Sequence, residues 1–259
     1  MGEAARPPVR PPGSPGAPAD RDERGQGEGR RDTRMSEATI DAKRALRMRV
    51  IARRDQITAG TRATDSELIC SRVLERIDAI AGQPVAGRSA TRPARTRPPV
   101  VAVFCSFGSE VSLDALVRAV AATPAARRPR LVAPVSLGHR HMEFVPVEPH
   151  ELLDRAAMPD FLAHPARALT TGMPAGRTPV APADIDLMVM PGVAFDERCG
   201  RLGYGGGYYD TYLAREGFRA ATCAVCFDEQ VLVSELVPRD PHDRMVDMIL
   251  TPTRVIHRA

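Results

Sequence analysis

Two amphipathic patterns open the foldable part of the chain, and an alternation of short apolar runs with helical stretches follows. Ala42, Leu46, Val50 and Ile57 mark one face of a helix predicted from about Thr39 to Gln56, with Lys43, Arg47 and Arg54 on an adjoining face. A second helix is predicted to begin at Thr64, where Thr64-x-x-Glu67 has the form of a capping box and Ile69, Val73, Ile77 and Ile80 make a stripe. Beyond it, Val100–Cys105, Leu131–Pro134, Met142–Val147, Asp186–Met190, Ala220–Phe227 and Val246–Leu250 read as strands. Ser112–Ala122, Pro149–Ala156 and Gly207–Glu216 read as helices, and residues 157–184 as irregular. This alternation predicts an α/β fold: a single domain with a central, largely parallel sheet covered by helices on both faces. In such sheets the ligand sits beyond the carboxyl ends of the strands.

Two segments fall outside that pattern. Residues 1–34 hold six Pro and six Gly among many charges. They cannot bury enough surface to offset their ordering entropy, so a disordered extension is expected, followed by a domain over 35–259 that starts at a second Met, Met35. Residues 81–99 are expected to form a mobile basic loop. The whole chain has 259 residues and is 43% hydrophobic but only 4% aromatic, without Trp, so the core must be built from aliphatic side chains. No run is long enough to span a bilayer, and no secretory apolar centre opens the chain. Five cysteines without framework spacing suit a reducing, cytoplasmic compartment. The net charge of +4 is matched by Arg88, Arg92, Arg95 and Arg97 of the basic loop, which argues against a nucleic-acid partner.

The densest chemistry follows the strand Asp186–Met190. In Arg201-Leu202-Gly203-Tyr204-Gly205-Gly206-Gly207-Tyr208-Tyr209-Asp210, four glycines allow close approach of backbone to ligand, and the loop runs into a helix, as phosphate-binding loops do. It is neither a dinucleotide fingerprint, since Tyr208 takes the third glycine position, nor a Walker loop. All four tyrosines of the chain lie between 204 and 212, which suggests a flat ligand beside the loop; Tyr208 and Tyr212, four apart, could instead pack the helix on the sheet. Arg201 offers a fork of donors for phosphate or carboxylate. Lys43 is the sole lysine among 36 basic residues, so the position that kept it is a candidate for a need that arginine does not meet. Glu110, Asp210, Asp228, His242, Asp243 and Asp247 could converge on the same sheet edge. Cys223-x-x-Cys226 lacks a second ligand pair and sits in a strand, so it reads as two buried structural cysteines.

These motifs together resemble the 5-formyltetrahydrofolate cyclo-ligase family over roughly residues 36–256. The glycine–tyrosine loop, preceded by Met190-Pro-Gly-Val-Ala-Phe-Asp196, is similar to that family's signature. Lys43-Arg44-Ala45-Leu46-Arg47 resembles its nucleotide-binding helix, Phe104-Cys105-Ser-Phe-Gly-Ser-Glu110 its folate-contacting segment, His141-Met-Glu-Phe144 its hairpin strand, and Pro238-Arg-Asp-Pro-His-Asp243 with Val246-Asp247 its closing motif. The resemblance implies ATP- and Mg²⁺-dependent cyclisation of 5-formyltetrahydrofolate, polyglutamylated or not, to 5,10-methenyltetrahydrofolate. It implies that Lys43, Arg44, Ala45, Leu46, Arg47 and Arg201 through Tyr209 bind ATP, with Lys43 and Arg201 catalytic. It further implies that Cys105, Glu110 and Tyr204 through Tyr208 contact the folate, and that Asp210 and Asp247 serve Mg²⁺. A monomer without membrane or nucleic-acid partner is expected. The N-terminal extension and the basic loop are not family features, and Thr170–Pro179 matches its Gly-Ile-x-x-Pro segment only loosely. Two rivals stand beside this reading: an RNA-binding module that has lost catalysis, and another sugar- or nucleotide-phosphate enzyme on a similar sheet. Retention of Lys43, Arg201 and Asp210 together favours the enzyme.

Overall fold

The computed structural model describes residues 37–82, 97–154, 156–164, 169 and 171–259. The expected extension over 1–34 and most of the basic loop 81–99 lie outside them. Seven strands form the main sheet: β1 (Val100–Ala102), β2 (Arg130–Gly138), β3 (His141–Val147), β4 (Leu187–Met190), β7 (Ala221–Val225), β9 (Met248–Leu250) and β10 (Val255–His257). Their order is β10-β9-β7-β4-β1-β2-β3. The five central strands are parallel, and only the edge strands β3 and β10 run antiparallel to their neighbours.

Alternation along the central strands shows why both faces need cover. Val101, Leu187, Val189, Cys223 and Val225 enter one apolar cluster, together with α2 (Ala59–Ala81) and α3 (Asp114–Ala122). Their neighbours Ala102, Met188, Met190, Ala224 and Cys226 enter a second cluster on the opposite face, with Tyr212 of α6 (Tyr208–Leu213). The largely parallel sheet with helices on both faces is thus present as the alternation predicts. Cys223 and Cys226 are fully buried on opposite faces, as their spacing requires. Two short helices, α4 (Pro149–Leu153) and α5 (Asp160–Ala163), cover the β2 end of the first face.

A second, three-stranded sheet was not expected. It consists of β5 (Ala194–Asp196), β6 (Arg201–Leu202) and β8 (Val231–Leu232), in the order β6-β5-β8. It rests on the long helix α1 (Glu37–Asp55) through Leu46, Val50, Ala194, Leu202 and Leu232. Strands of two or three residues are too short to carry a readable period.

Two local expectations are corrected. The second helix begins at Ala59, not Thr64: the Thr58 hydroxyl caps it by accepting the Thr61 N–H at 3.1 Å, and Thr64 is an exposed residue inside the helix. Buried Ile57 anchors the chain directly before this cap, which fixes where the helix can start. On α1, Ala42 faces solvent, and the buried stripe is Lys43, Leu46, Val50 and Arg54. Two cations therefore occupy core-facing positions, because polar partners wait for them on other elements.

Candidate active site

The glycine loop leaves the main sheet at the carboxyl end of β4 and is aimed by the hairpin β5–β6. Asp196 holds that hairpin. It is 2% exposed, and its carboxylate accepts backbone N–H bonds from Arg198, Gly200 and Val237 at 2.8–3.0 Å. The turn delivers Arg201 into the protein, where it is 5% exposed. Arg201 Nη2 donates to both oxygens of Asp210 at 3.2 Å, and its guanidinium lies over the Tyr209 ring at 5.5 Å. Its Nε–H is buried without a hydrogen-bond partner.

Further arginines border the loop. Arg47 donates from Nε to the Gly203 carbonyl at 2.8 Å, and its guanidinium passes Gly205. Arg140, at the tip of the β2–β3 hairpin, crosses Gly207, where a Cβ would meet its Cδ at 3.2 Å. Gly205 (φ 106°) and Gly207 (φ 71°) adopt backbone that side-chain-bearing residues reach only with strain. Gly205→Ala should therefore distort the loop at a cost of about 1–3 kcal/mol. A thermal melt should read this as a Tm lowered by several degrees.

Lys43 does not point into open solvent. Its ammonium donates to Asp240 at 2.8 Å and Asp243 at 2.5 Å, and its side chain is 5% exposed. Burial by itself would lower the Lys43 pKa, but the two carboxylates raise it overall. Asp240 is likewise opposed by burial, and its bond from Lys43 leaves its carboxyl below the usual range. The peptide N–H of Arg244, the residue after Asp243, donates to Asp210 at 3.1 Å. Lys43, Arg47, Arg201, Asp210, Asp240 and Asp243 thus form one charged cluster around the loop.

Tyr204 lies on the other side of the loop. Its ring packs on Phe107 with centroids 5.0 Å apart, and both rings are largely exposed. Glu110 sits beneath them, 9% exposed. One of its oxygens takes the Phe107 N–H at 3.1 Å, and Oε1 is buried without a partner. Burial pushes the Glu110 carboxyl above its ordinary range, opposed by that N–H, by the Tyr204 hydroxyl and, least, by the Arg54 charge. Glu110 shares a narrow crevice with Phe104, Arg54, Pro191 and Gly192. Tyr209 links the two sides: besides carrying Arg201, its hydroxyl feels the charges of Glu110 and Cys105, and burial raises its pKa.

The structure brings together most of the residues singled out from sequence. Lys43, Arg47, Arg201–Tyr209 and Asp210 surround the loop, and Glu110 stands beside Tyr204. Arg44 and Ala45 are exposed on α1, and Leu46 packs into the small sheet. Tyr212 packs against Phe144 and Phe218 under the Arg215 guanidinium, away from the loop, and its hydroxyl is buried without a hydrogen-bond partner. Asp247 is engaged elsewhere: its carboxylate accepts from the backbone and hydroxyl of Thr222 at 2.9 Å and pairs with Arg258 at 2.9 Å. Asp240, Asp243 and Arg54 were not given roles. Their sequence distance from their partners, 197 and 200 residues for the lysine pair, left no local signal. Among the described residues, no group of three or more His, Cys, Asp or Glu is arranged to hold a metal ion, and no helix is long and apolar enough to cross a membrane.

A parallel α/β sheet whose carboxyl edge carries an arginine-bordered glycine loop, with a carboxylate beneath aromatic rings beside it, defines an α/β protein with its candidate site at the sheet's carboxyl edge. Residues 39–252 match the 5-formyltetrahydrofolate cyclo-ligase family, and the chain belongs to it. Among similar proteins, a probable 5-formyltetrahydrofolate cyclo-ligase of Schizosaccharomyces pombe is 38% identical over 82 residues, covering 28% of this chain and 40% of that protein. A mitochondrial 5-formyltetrahydrofolate cyclo-ligase of Arabidopsis thaliana is 43% identical over 81 residues, 28% of this chain and 29% of that protein. The matches thus span well under half the length of these relatives. A solved 5,10-methenyltetrahydrofolate synthetase from Aquifex aeolicus superposes with a TM-score of 0.57 at 26% identity, over 83% of this chain and 92% of that one. The one from Mycoplasma pneumoniae shares the fold, with a TM-score of 0.55 at 17% identity over 81% and 98% of the two chains.

Proposed function

We propose that the chain converts 5-formyltetrahydrofolate to 5,10-methenyltetrahydrofolate with consumption of ATP and release of ADP and phosphate. The observation that carries this reading is the pair of orphaned buried atoms on either side of one glycine loop. The Arg201 Nε–H suits an oxyanion, and Glu110 Oε1 suits the N–H edge of a pterin. In this reading the formyl oxygen of the substrate takes the terminal phosphoryl group of ATP, which turns a poor leaving group into phosphate. N10 then attacks the activated formyl carbon and closes the ring, N10 gives up its proton, and the C–O bond breaks to release phosphate.

The chain's own part is positioning and charge. Arg201, Arg47 and Lys43, with the amides of Gly203–Gly207, hold the phosphates. Lys43 would share its ammonium between the nucleotide and its two aspartates. Tyr204, Phe107 and Glu110 hold the pterin, with Cys105 near Tyr209. The carboxylates present suit a Mg²⁺ held mostly by phosphate and water with one or two protein oxygens. Asp210 and Asp243 border the loop, paired with Arg201 and Lys43, and Asp247 is held by Thr222 and Arg258; each would give up part of these bonds to take the ion. Bound there, Mg²⁺ would neutralise phosphate charge. A monomeric enzyme of the cytoplasm, free of nucleic acid and acting on the folate with or without a polyglutamate tail, completes the proposal.

Absorbance of methenyltetrahydrofolate, followed with purified full chain, tests it. Formation that requires both ATP and Mg²⁺ is expected; turnover without ATP, or none with it, refutes the reading. Within the same assay series, Tyr204→Ala should weaken 5-formyltetrahydrofolate binding by about 1–3 kcal/mol, the worth of one aromatic stack, and leave ATP binding within about twofold. Tyr208→Ala should cost folate less and stability more, because part of that ring packs into the core beneath α6. Equal losses for both ligands in Tyr204→Ala would mark its ring as mere packing.

A further inference from the structure

Arg54 ends the buried stripe of α1 and is 4% exposed. Its guanidinium reaches two separate elements. Nε donates to the Ser109 hydroxyl at 2.8 Å, in the segment after β1, and Nη1 donates to the Tyr204 hydroxyl at 2.9 Å, in the glycine loop. The Ser109 hydroxyl in turn donates to Asp55, the neighbour of Arg54. The same arginine forms one wall of the crevice that Glu110 lines. A planar fork can span two acceptors at fixed angles, whereas an ammonium cannot. Tyr204 also packs on Phe107 and its hydroxyl interacts with Glu110, so the Arg54 bond is what ties this ring to α1.

We infer that Arg54 is a positioning residue for the heterocycle at this crevice: it fixes the Tyr204 ring against Phe107 and sets a guanidinium in the same crevice as the Glu110 carboxylate. The inference rests on the reading that the folate binds at this crevice. It makes α1 the member common to both substrates. Lys43 and Arg47 meet the charged side of the loop, and Arg54, about 16 Å beyond Lys43 and about 10 Å beyond Arg47 along the helix axis, meets the aromatic side. It also predicts a pH signature. The charged and titratable groups facing Glu110 are Arg54 from α1, Tyr204 from the loop and Tyr209 from α6. Arg54 opposes the effect of burial on Glu110, so removing it should raise the pKa of that carboxyl further.

The test compares wild type, Arg54→Lys, Arg54→Met, Tyr204→Phe and the double variant Arg54→Lys/Tyr204→Phe, all checked for folding by thermal melts. Arg54→Lys should raise the Kd for 5-formyltetrahydrofolate about tenfold, with the KM for ATP within about twofold. Tyr204→Phe keeps the ring but loses the hydroxyl, so it should show part of the same defect. The double variant should be no worse than Arg54→Lys alone, because both changes remove one bond. In Arg54→Met the acid limb of kcat/KM for the folate should move to higher pH. Folded variants with wild-type folate Kd, additive losses in the double variant, or equal loss of ATP and folate overturn the inference. Should wild type itself not bind 5-formyltetrahydrofolate, the functional reading fails, and this inference with it.

Discussion

Lys43→Met is expected to abolish most turnover and to destabilise the fold together. The substitution keeps a good helix former on α1, so local helix propensity changes little. What it removes is the cation between Asp240 and Asp243. Those side chains are 10% and 20% exposed, and each faces the other across the vacated place. Breaking a buried ion pair costs about 3–5 kcal/mol, and the partial exposure of Asp243 argues for about 3. Lys43→Arg keeps the charge but forces a larger planar group into the same space, with an expected cost of about 1–3 kcal/mol and an ATP KM raised about tenfold. The pH dependence has a definite sign. The carboxyl of Asp240 is depressed in the fold, so its contribution is present above its unfolded pKa of 3.8 and is lost as pH falls through the lower folded value. The amine of Lys43 is raised, so its contribution is present below 10.5 and is lost as pH rises through the folded value. Between those limits the difference in unfolding free energy between wild type and Lys43→Met should be level, and it should shrink toward acid. Urea titrations at several pH values measure this. A melting curve for Lys43→Met that matches wild type at pH 7 refutes the buried triad.

Arg201→Met should lower kcat/KM by about 10²–10³-fold, the scale of losing one preorganised donor to a developing anion. The side chain is 3% exposed and is held by Asp210 and the face of Tyr209, so it needs no reorganisation to meet a phosphate. Its loss also leaves Asp210 with only the Arg244 peptide N–H among the hydrogen bonds seen here. A thermal shift of several degrees should accompany the kinetic defect. Restoring part of the charge by Arg201→Lys should recover stability more than rate, since an ammonium cannot serve Asp210 and a phosphate in one plane. If Arg201→Met retained wild-type kcat/KM for ATP, the arginine would be structural alone.

Much of this architecture was legible because its central strands are buried on both faces. Val100–Ala102, Leu187–Met190 and Ala221–Val225 have no polar face to interrupt them, so they stand out as apolar runs between helical patterns. The glycine–tyrosine loop was legible because its composition is extreme. Other parts were not. The polar stretch Thr58–Asp65 hides the first turns of α2, since an exposed helical turn differs little from a loop in residue type. The small sheet hides because β6 and β8 have two residues each. The charged side of the site hides for another reason: Lys43 and Arg54 lie on the inner stripe of α1, where apolar residues are expected, and their partners come from loops far along the chain.

That mixed stripe has a consequence for motion. The inner face of α2 is Ser66, Ile69, Cys70, Val73 and Ile77, nearly all apolar, and it is buried in the core. The inner face of α1 gains its attachment from two aliphatic side chains and two cations. Cations in contact with loops can trade protein partners for water at small net cost, whereas aliphatic groups cannot. Amides of α1 should therefore exchange with solvent through local openings that α2 does not share. Saturating ATP and folate should slow that exchange in α1 selectively, because a ligand held by the closed helix alone stabilises it by RT ln(1 + [L]/Kd).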